Sequence, residues 1–113
     1  MNDFIDKLQA VEDRYDELNE LLADPDVISD SQKFTELSKE EASIRETVAK
    51  FREYKKVIAQ IADDEEMQRE KLDPEMDELV KSELSSLRSQ RDDIEEQIKV
   101  LMLPTDPNDD KNI

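Results

Sequence analysis

Carboxylates are the side chains of this sequence most able to do chemistry, because they outnumber every other reactive type. The 113 residues include 32 acidic and 16 basic side chains, for a formal net charge of −16. Two adjacent carboxyl groups can serve as a general acid and a general base, but only where a cavity desolvates one of them. A small helical bundle has no such cavity, so the acidic pairs are interpreted as solvated faces.

The residue types that are absent exclude most other reaction centres. Without glycine there is no phosphate-binding loop, and without cysteine or histidine there is no zinc site, disulfide, thiol nucleophile or imidazole base. Residues 106–110 lack the alternating ligands, central glycine and closing glutamate of a calcium loop. The sequence therefore predicts no catalytic, cofactor-binding or metal-binding residue, and no enzyme.

One basic cluster interrupts the acidic sequence. Lys50, Arg52, Lys55 and Lys56 stand against the single Glu53, and these four basic residues are named the basic patch. In an acidic protein such a patch is a candidate partner-binding site, for a phosphate backbone or for an acidic protein. The alternative is that its side chains pair with acidic residues on neighbouring helices, as exposed charges often do for little energy.

Charge and hydropathy restrict the partners and the location. A net charge of −16 repels nucleic-acid phosphates and anionic lipids, so proteins or basic surfaces are the expected partners. No apolar run is long enough to span a membrane, and residues 1–4 lack the order of a secretory signal. We expect a cytoplasmic protein with no membrane segment.

Prolines set the predicted boundaries. The four prolines, at positions 25, 74, 104 and 107, cannot lie inside a helix without loss of a hydrogen bond. They predict helices over about 3–23, 30–71 and 74–102 within a helical domain, 1–103, and then a polar connector, 104–113, toward a missing downstream domain. Asp73 and Pro74 form a helix-start signal, and Ser29 with Gln32 has the form of a capping box.

Apolar residues recur at spacings of four and three in each predicted helix, which places them on one stripe. The first stripe contains Phe4, Leu8, Val11, Tyr15, Leu18 and Leu22. The second contains Leu37, Ile44, Val48, Phe51 and Ile58, widened by Phe34, Tyr54, Val57 and Ile61. The third contains Val80, Leu84, Leu87, Ile94, Ile98 and Leu101, with Met76 and Leu79 beside it.

Short polar connections leave successive helices antiparallel, so the predicted fold is an all-α, antiparallel three-helix bundle. It is coiled-coil-like, with a long middle helix and an extended C-terminal connector. Met67, Met76 and Met102 are expected in the core, where methionine fills irregular gaps. The acidic run 63–66 is expected to be the weakest part of the middle helix.

Two segments carry a resemblance to a known family. The third helix begins Leu-Asp-Pro-Glu-Met over 72–76, and residues 101–112 are Leu-Met-Leu-Pro-Thr-Asp-Pro-Asn-Asp-Asp-Lys-Asn. The predicted helices follow the order short helix, break, long helix and third helix. This order and the two segments together resemble the N-terminal domain of bacterial peptide chain release factors, the class I family. The form Leu-Pro-x-Asp-Pro-Asn-Asp favours the type-one branch. The similarity extends over the whole chain.

The resemblance implies an accessory role in translation termination at stop codons on the ribosome. Family members read stop codons with a tripeptide loop and trigger peptidyl-tRNA hydrolysis with a Gly-Gly-Gln loop, and this sequence contains neither. The family's N-terminal domain reaches toward the stalk base of the large ribosomal subunit and the release-factor GTPase. The resemblance therefore implies a monomeric domain that contacts these partners through protein surfaces. It also implies little direct binding of nucleic acid by this domain.

Two other interpretations stay open. Stripes spaced four and three also form intermolecular coiled coils, so a helical scaffold or dimerisation module is the alternative. An RNA-binding helical arm is the third interpretation. The acidic net charge argues against such an arm, because RNA-binding arms need basic faces.

Overall fold

The computed structural model of the protein describes residues 2–103, which form four helices. They are α1 (Asn2–Leu22), α2 (Pro25–Ile28), α3 (Ser31–Gln68) and α4 (Pro74–Leu101). No strand occurs between residues 2 and 103, so the predicted all-α class with its long middle helix is confirmed. The predicted connector over 104–113 lies outside the described residues.

Aspartate followed by proline begins two of the helices. Asp24 and Asp73 have extended backbone angles, and each side chain accepts a hydrogen bond from a backbone N–H two or three residues later, at 2.9 and 2.8 Å. Pro25 and Pro74 lie in the first turn, where the missing proline N–H has no partner to lose. The helix start predicted at Asp73 is confirmed.

The connection between α1 and α3 differs from the prediction. Pro25 begins α2, so the described residues contain a four-residue helix beyond the three predicted. The capping box predicted at Ser29 is wrong, because the Asp30 carboxylate accepts the Lys33 N–H at 3.1 Å. The Ser29 hydroxyl instead donates back to the Asp26 carbonyl at 3.1 Å. An aspartate one residue later thus replaces serine as the capping group of α3.

α3 is one continuous helix of 38 residues, roughly 57 Å long at about 1.5 Å per residue. Its acidic run 63–66, expected to be weak, is helical throughout. One contact between helices supports this run, since Glu65 accepts a hydrogen bond from Arg88 of α4 at 3.0 Å. The helix ends at Gln68 rather than at the predicted residue 71.

The chain divides into two compact units between Lys56 and Val57, and α3 contributes to both. In the first unit α1 runs antiparallel to α3. The Phe4 ring lies edge-on to Tyr54 with centroids 6.3 Å apart, and Arg14, further along α1, pairs with Glu40, further back along α3. The buried apolar residues of this unit are Leu8, Leu18, Val27, Val48, Phe51 and Tyr54.

The second unit contains the end of α3 and all of α4. Its buried apolar residues are Val57, Ile61, Val80, Leu84, Leu87, Ile94 and Ile98. The stripe prediction is wrong at Ile58, which is 37% exposed, because burial follows Val57, Ile61 and Asp64 along the helix instead.

The backbone of residues 2–103 contains no positive φ angle. None of its helices is both long and apolar enough to cross a lipid bilayer.

Candidate functional site

The basic patch lies on the part of α3 in the first unit, where α1 supplies carboxylates to two of its members. Arg52 donates from Nε to Glu12 Oε2 at 2.6 Å and from Nη2 to Asp16 Oδ1 at 3.0 Å. Lys55 Nζ donates to Glu12 Oε1 at 2.6 Å. The pairing alternative for the basic patch therefore describes Arg52 and Lys55.

Each of these two cations also lies over an aromatic ring. The guanidinium carbon of Arg52 is 5.6 Å from the centroid of the Tyr15 ring, and Lys55 Nζ is 4.6 Å from that of Phe51. A ring face attracts a cation through its quadrupole, so each ring adds to the carboxylate in holding its side chain in place.

Glu12 is the buried centre of this arrangement, with 9% of its side chain exposed. Hydrogen bonds from Lys55 and then Arg52 hold the pKa of Glu12 below its ordinary value, although burial acts in the opposite direction. Glu12 in turn raises the pKa of Arg52. Glu12 and Arg52 are therefore charged at neutral pH, and the ion pairs of Glu12 with Arg52 and Lys55 join α1 to α3.

Of the other two members of the basic patch, one forms a long ion pair and one forms none with the described residues. Lys50 Nζ lies 3.6 Å from Glu53 of the same helix, a long ion pair. Lys56 is exposed and forms no ion pair with any residue between 2 and 103. The structure thus divides the basic patch into two residues that are paired with α1 and two, Lys50 and Lys56, that form no ion pair with the described residues of α1.

A second polar link joins the same two helices. Arg14 donates from Nε and Nη2 to the two oxygens of Glu40, at 2.7 and 2.8 Å, which is the bidentate geometry that guanidinium favours. This contact lowers the pKa of Glu40. Glu41 is buried, and its pKa is lowered chiefly by a hydrogen bond from Arg45.

The second unit holds a pair of carboxyl groups with a different environment. Asp64 is only 7% exposed, and its Oδ2 atom has no hydrogen-bond partner among residues 2–103. The pKa of Glu83 is raised, because a protonated Glu83 can share a hydrogen bond with Asp64 and a charged one is repelled by it. The interpretation of acidic pairs as solvated is therefore wrong at Asp64, which lies three residues after buried Ile61.

An open pocket lies beside Glu83. It is lined by Met67 at the end of α3 and by six residues of α4, and we name these seven residues the methionine pocket: Met67, Met76, Leu79, Val80, Ser82, Glu83 and Ser86. Met67 and Met76 are 36% and 43% exposed, so their predicted place in the core is wrong. They flank the connection 69–73, which joins the end of α3 to the start of α4.

Sequence reasoning identified the basic patch but not the methionine pocket. The signal available in the sequence was the position of Met67 and Met76 within a few residues of a helix end. No group of three metal-ligating side chains occurs in the described part of the chain. Of the Asp64 and Glu83 pair, Glu83 lines the pocket and Asp64 is buried beside it.

Comparison with known proteins gives the family. The PCRF domain matches residues 11–113. The chain belongs to the PCRF domain family. The resemblance to type-one release factors is confirmed, since relatives of this PCRF chain carry the name peptide chain release factor 1. No solved structure matches it significantly.

Three relatives illustrate how much is shared. Peptide chain release factor 1 of Levilactobacillus brevis is 59% identical over 113 residues, which are 100% of this chain and 31% of that protein. The protein of the same name from Lactiplantibacillus plantarum is 58% identical with the same coverage. That of Enterococcus faecalis is 58% identical over 108 residues, 96% of this chain and 30% of that protein. The chain spans about a third of the length of these relatives.

Proposed function

We propose that this PCRF-domain chain is the N-terminal accessory domain of a peptide chain release factor, and that it acts in translation termination on cytoplasmic ribosomes. The observation that carries the proposal is the 59% identity to peptide chain release factor 1 over the full 113 residues. The match covers 100% of the chain, so all four helices lie within it.

The accessory character of the role is supported by what the chain contains. Its sequence has no glycine, and therefore no Gly-Gly-Gln loop of the kind that triggers hydrolysis in the family. Two of its charged groups, Glu12 and Arg14, form ion pairs between helices. The domain is proposed to supply protein contacts, while codon reading and hydrolysis belong to parts of the factor beyond it.

The proposed partners are proteins of the large-subunit stalk base and the release-factor GTPase. A net charge of −16 favours basic protein surfaces over bare RNA. Within the basic patch, Lys50 and Lys56 are the members proposed to meet an acidic partner group, since Arg52 and Lys55 already hold α1 carboxylates.

A chimeric release factor tests the proposal. The aligned 113 residues of the Levilactobacillus brevis factor are replaced by this chain, and peptide release from a ribosome stalled at a stop codon is measured. Because the domain is proposed to be functionally equivalent, release should stay within a few-fold of the parent factor.

The control is the same factor with this region deleted. A chimera that is folded but releases no faster than the deletion would contradict the proposal. The isolated chain should release no peptide above background, and measurable release by it alone would overturn the accessory role.

A further inference from the structure

The methionine pocket places large apolar side chains in solvent on one unit. Met67, Met76 and Leu79 are 36%, 43% and 61% exposed and line the same depression. Exposed apolar side chains that line one depression give a partner a concave apolar surface to contact, as binding pockets do. Methionine suits such a site because its flexible, polarizable side chain adapts to the shape of the group it contacts.

One carboxylate, Glu83, lies in the wall of this pocket, and the sequence that precedes it is acidic. The neighbouring Asp64 has a buried oxygen with no hydrogen-bond partner among the described residues. Between residues 63 and 83 the sequence has ten carboxylates and three basic side chains. A group that enters the pocket therefore meets apolar contacts beside an uncompensated acidic pair.

The charge decides between possible occupants. Nucleic acid and anionic lipid carry negative charge and are repelled by this surface. A second copy of this chain brings the same charge of −16 and is disfavoured for the same reason. A segment that presents apolar side chains on one face and lysine or arginine beside them satisfies both features of the pocket.

We propose that the methionine pocket binds a basic amphipathic segment of a partner protein. Apolar side chains of the segment contact Met67, Met76 and Leu79, and a lysine or arginine pairs with Glu83. The choice of a protein from the translation apparatus rests on the proposed function, whereas the recognition chemistry rests on the pocket alone.

The test uses the 113-residue chain and a synthetic amphipathic helix of leucine and lysine as the probe. Methyl resonances of the methionines are followed by NMR during titration. Saturable shifts of the Met67 and Met76 methyl groups are expected, because these groups line the pocket. Two control peptides separate the contributions: one replaces every lysine by glutamate, and the other replaces every leucine by serine. Both should bind much more weakly.

Variants of the chain locate the binding surface. The double substitution Met76→Ser with Leu79→Ser should weaken binding by about tenfold or more, the effect of losing one to two buried apolar side chains. Glu83→Gln should weaken it a few-fold by removing the ion pair. Val100→Ser is the matched control, since Val100 is an apolar residue of α4 that is 59% exposed and lies outside the pocket. All of these positions are exposed, and an unchanged circular dichroism spectrum checks that each variant is folded.

Three results would overturn the inference. The serine and lysine peptide could bind as well as the leucine peptide, which would mean attraction by charge alone. The double variant could bind like the parent, which would place the site elsewhere. The double variant could convert a dimeric parent to a monomer, which would identify a second copy as the occupant. None of these results bears on peptide release by the chimeric factor, so the two proposals fail independently.

Discussion

Glu12 shows how one carboxylate among 32 acquires a structural role. Most acids of α1 face water, but Glu12 accepts hydrogen bonds from Arg52 and Lys55, which follow it by 40 and 43 residues. The contact reduces the positive charge that the basic patch offers to a partner. A local sequence pattern of lysines and arginines therefore overstates the free charge on this face of α3.

Replacing Glu12 by glutamine should lower the free energy of unfolding by about 1–2 kcal/mol, because two cations lose their shared, mostly buried acceptor. Arg52 and Lys55 are about half exposed, and their solvation limits the effect. The change is measured by urea unfolding followed by circular dichroism. Asp16→Asn is the control, since this exposed partner of Arg52 should matter by less than about 0.5 kcal/mol. Equal effects of the two substitutions would contradict the role assigned to Glu12.

Glu12 and Glu83 should affect the pH dependence of stability with opposite sign. The pKa of Glu12 is lowered by folding, so its stabilising contribution is present above the ordinary glutamate pKa and is lost as the pH falls through the folded value. The pKa of Glu83 is raised, so its contribution is present below the ordinary pKa and is lost as the pH rises through the folded value.

Thermal unfolding measured from acidic to neutral pH checks the prediction. At neutral pH Glu83→Gln should melt above the parent protein, since glutamine removes the repulsion from Asp64 and keeps a hydrogen-bond donor. Glu12→Gln should melt below the parent at neutral pH. Both differences in melting temperature should shrink in acid. A difference for Glu83→Gln that grows on acidification would contradict repulsion between Glu83 and Asp64.

At the scale of the helices, the breaks between elements follow from local chemistry. Asp73 and Pro74 specify the start of α4, because the carboxylate satisfies an N–H of the first turn and proline has none to lose. The same two residue types at Asp24 and Pro25 begin a four-residue helix. Identical signals thus produce helices of very different length, since length depends on the apolar stripe that follows.

Asp73→Ala should destabilise the protein by about 1 kcal/mol through loss of the N-cap, while Asp73→Ser should retain most of the stability. Denaturant unfolding measures both. Asp63→Ala serves as the comparison, because Asp63 lies inside α3, is exposed and is replaced there by a better helix former. Destabilisation by Asp63→Ala as large as that by Asp73→Ala would remove the special role of the cap.

The stripes predicted most of the buried residues, including Leu8 in α1 and Leu84 in α4. The prediction was wrong where neighbouring stripe positions compete, as at Val57 and Ile58, because periodicity does not fix the rotation of a helix to within one residue. The methionine pocket was not predicted, since exposure of Met67 and Met76 depends on where each helix ends. Pairing of the basic patch with acids of a neighbouring helix was one of the two interpretations, but the particular partner was not predicted, because Glu12 lies some 40 residues away along the sequence.

At the scale of the whole chain, two compact units share α3. Most of the α4 stripe is buried within a single polypeptide, and so are Leu8 and Leu18 of the α1 stripe. A coiled-coil scaffold would instead need such a stripe exposed for a second chain. The net charge of −16 further disfavours self-association.

Sedimentation equilibrium should therefore give the mass of a single chain at all concentrations. The measurement should be made at both low and high salt. Salt screens the repulsion between the acidic chains, so any apolar attraction between them would become detectable at high salt. A dimer that strengthens with concentration would favour the scaffold or dimerisation module over the proposed accessory domain.

The absence of positive φ angles between residues 2 and 103 has an evolutionary consequence. Every turn in this range uses conformations open to all L-amino acids, so no position there is reserved for glycine on steric grounds. Mutational scanning of exposed residues in the 69–73 loop, apart from its capping aspartate, should thus find a permissive backbone. Any position in that loop that proves intolerant to replacement would mark contact with another molecule instead of a demand of folding.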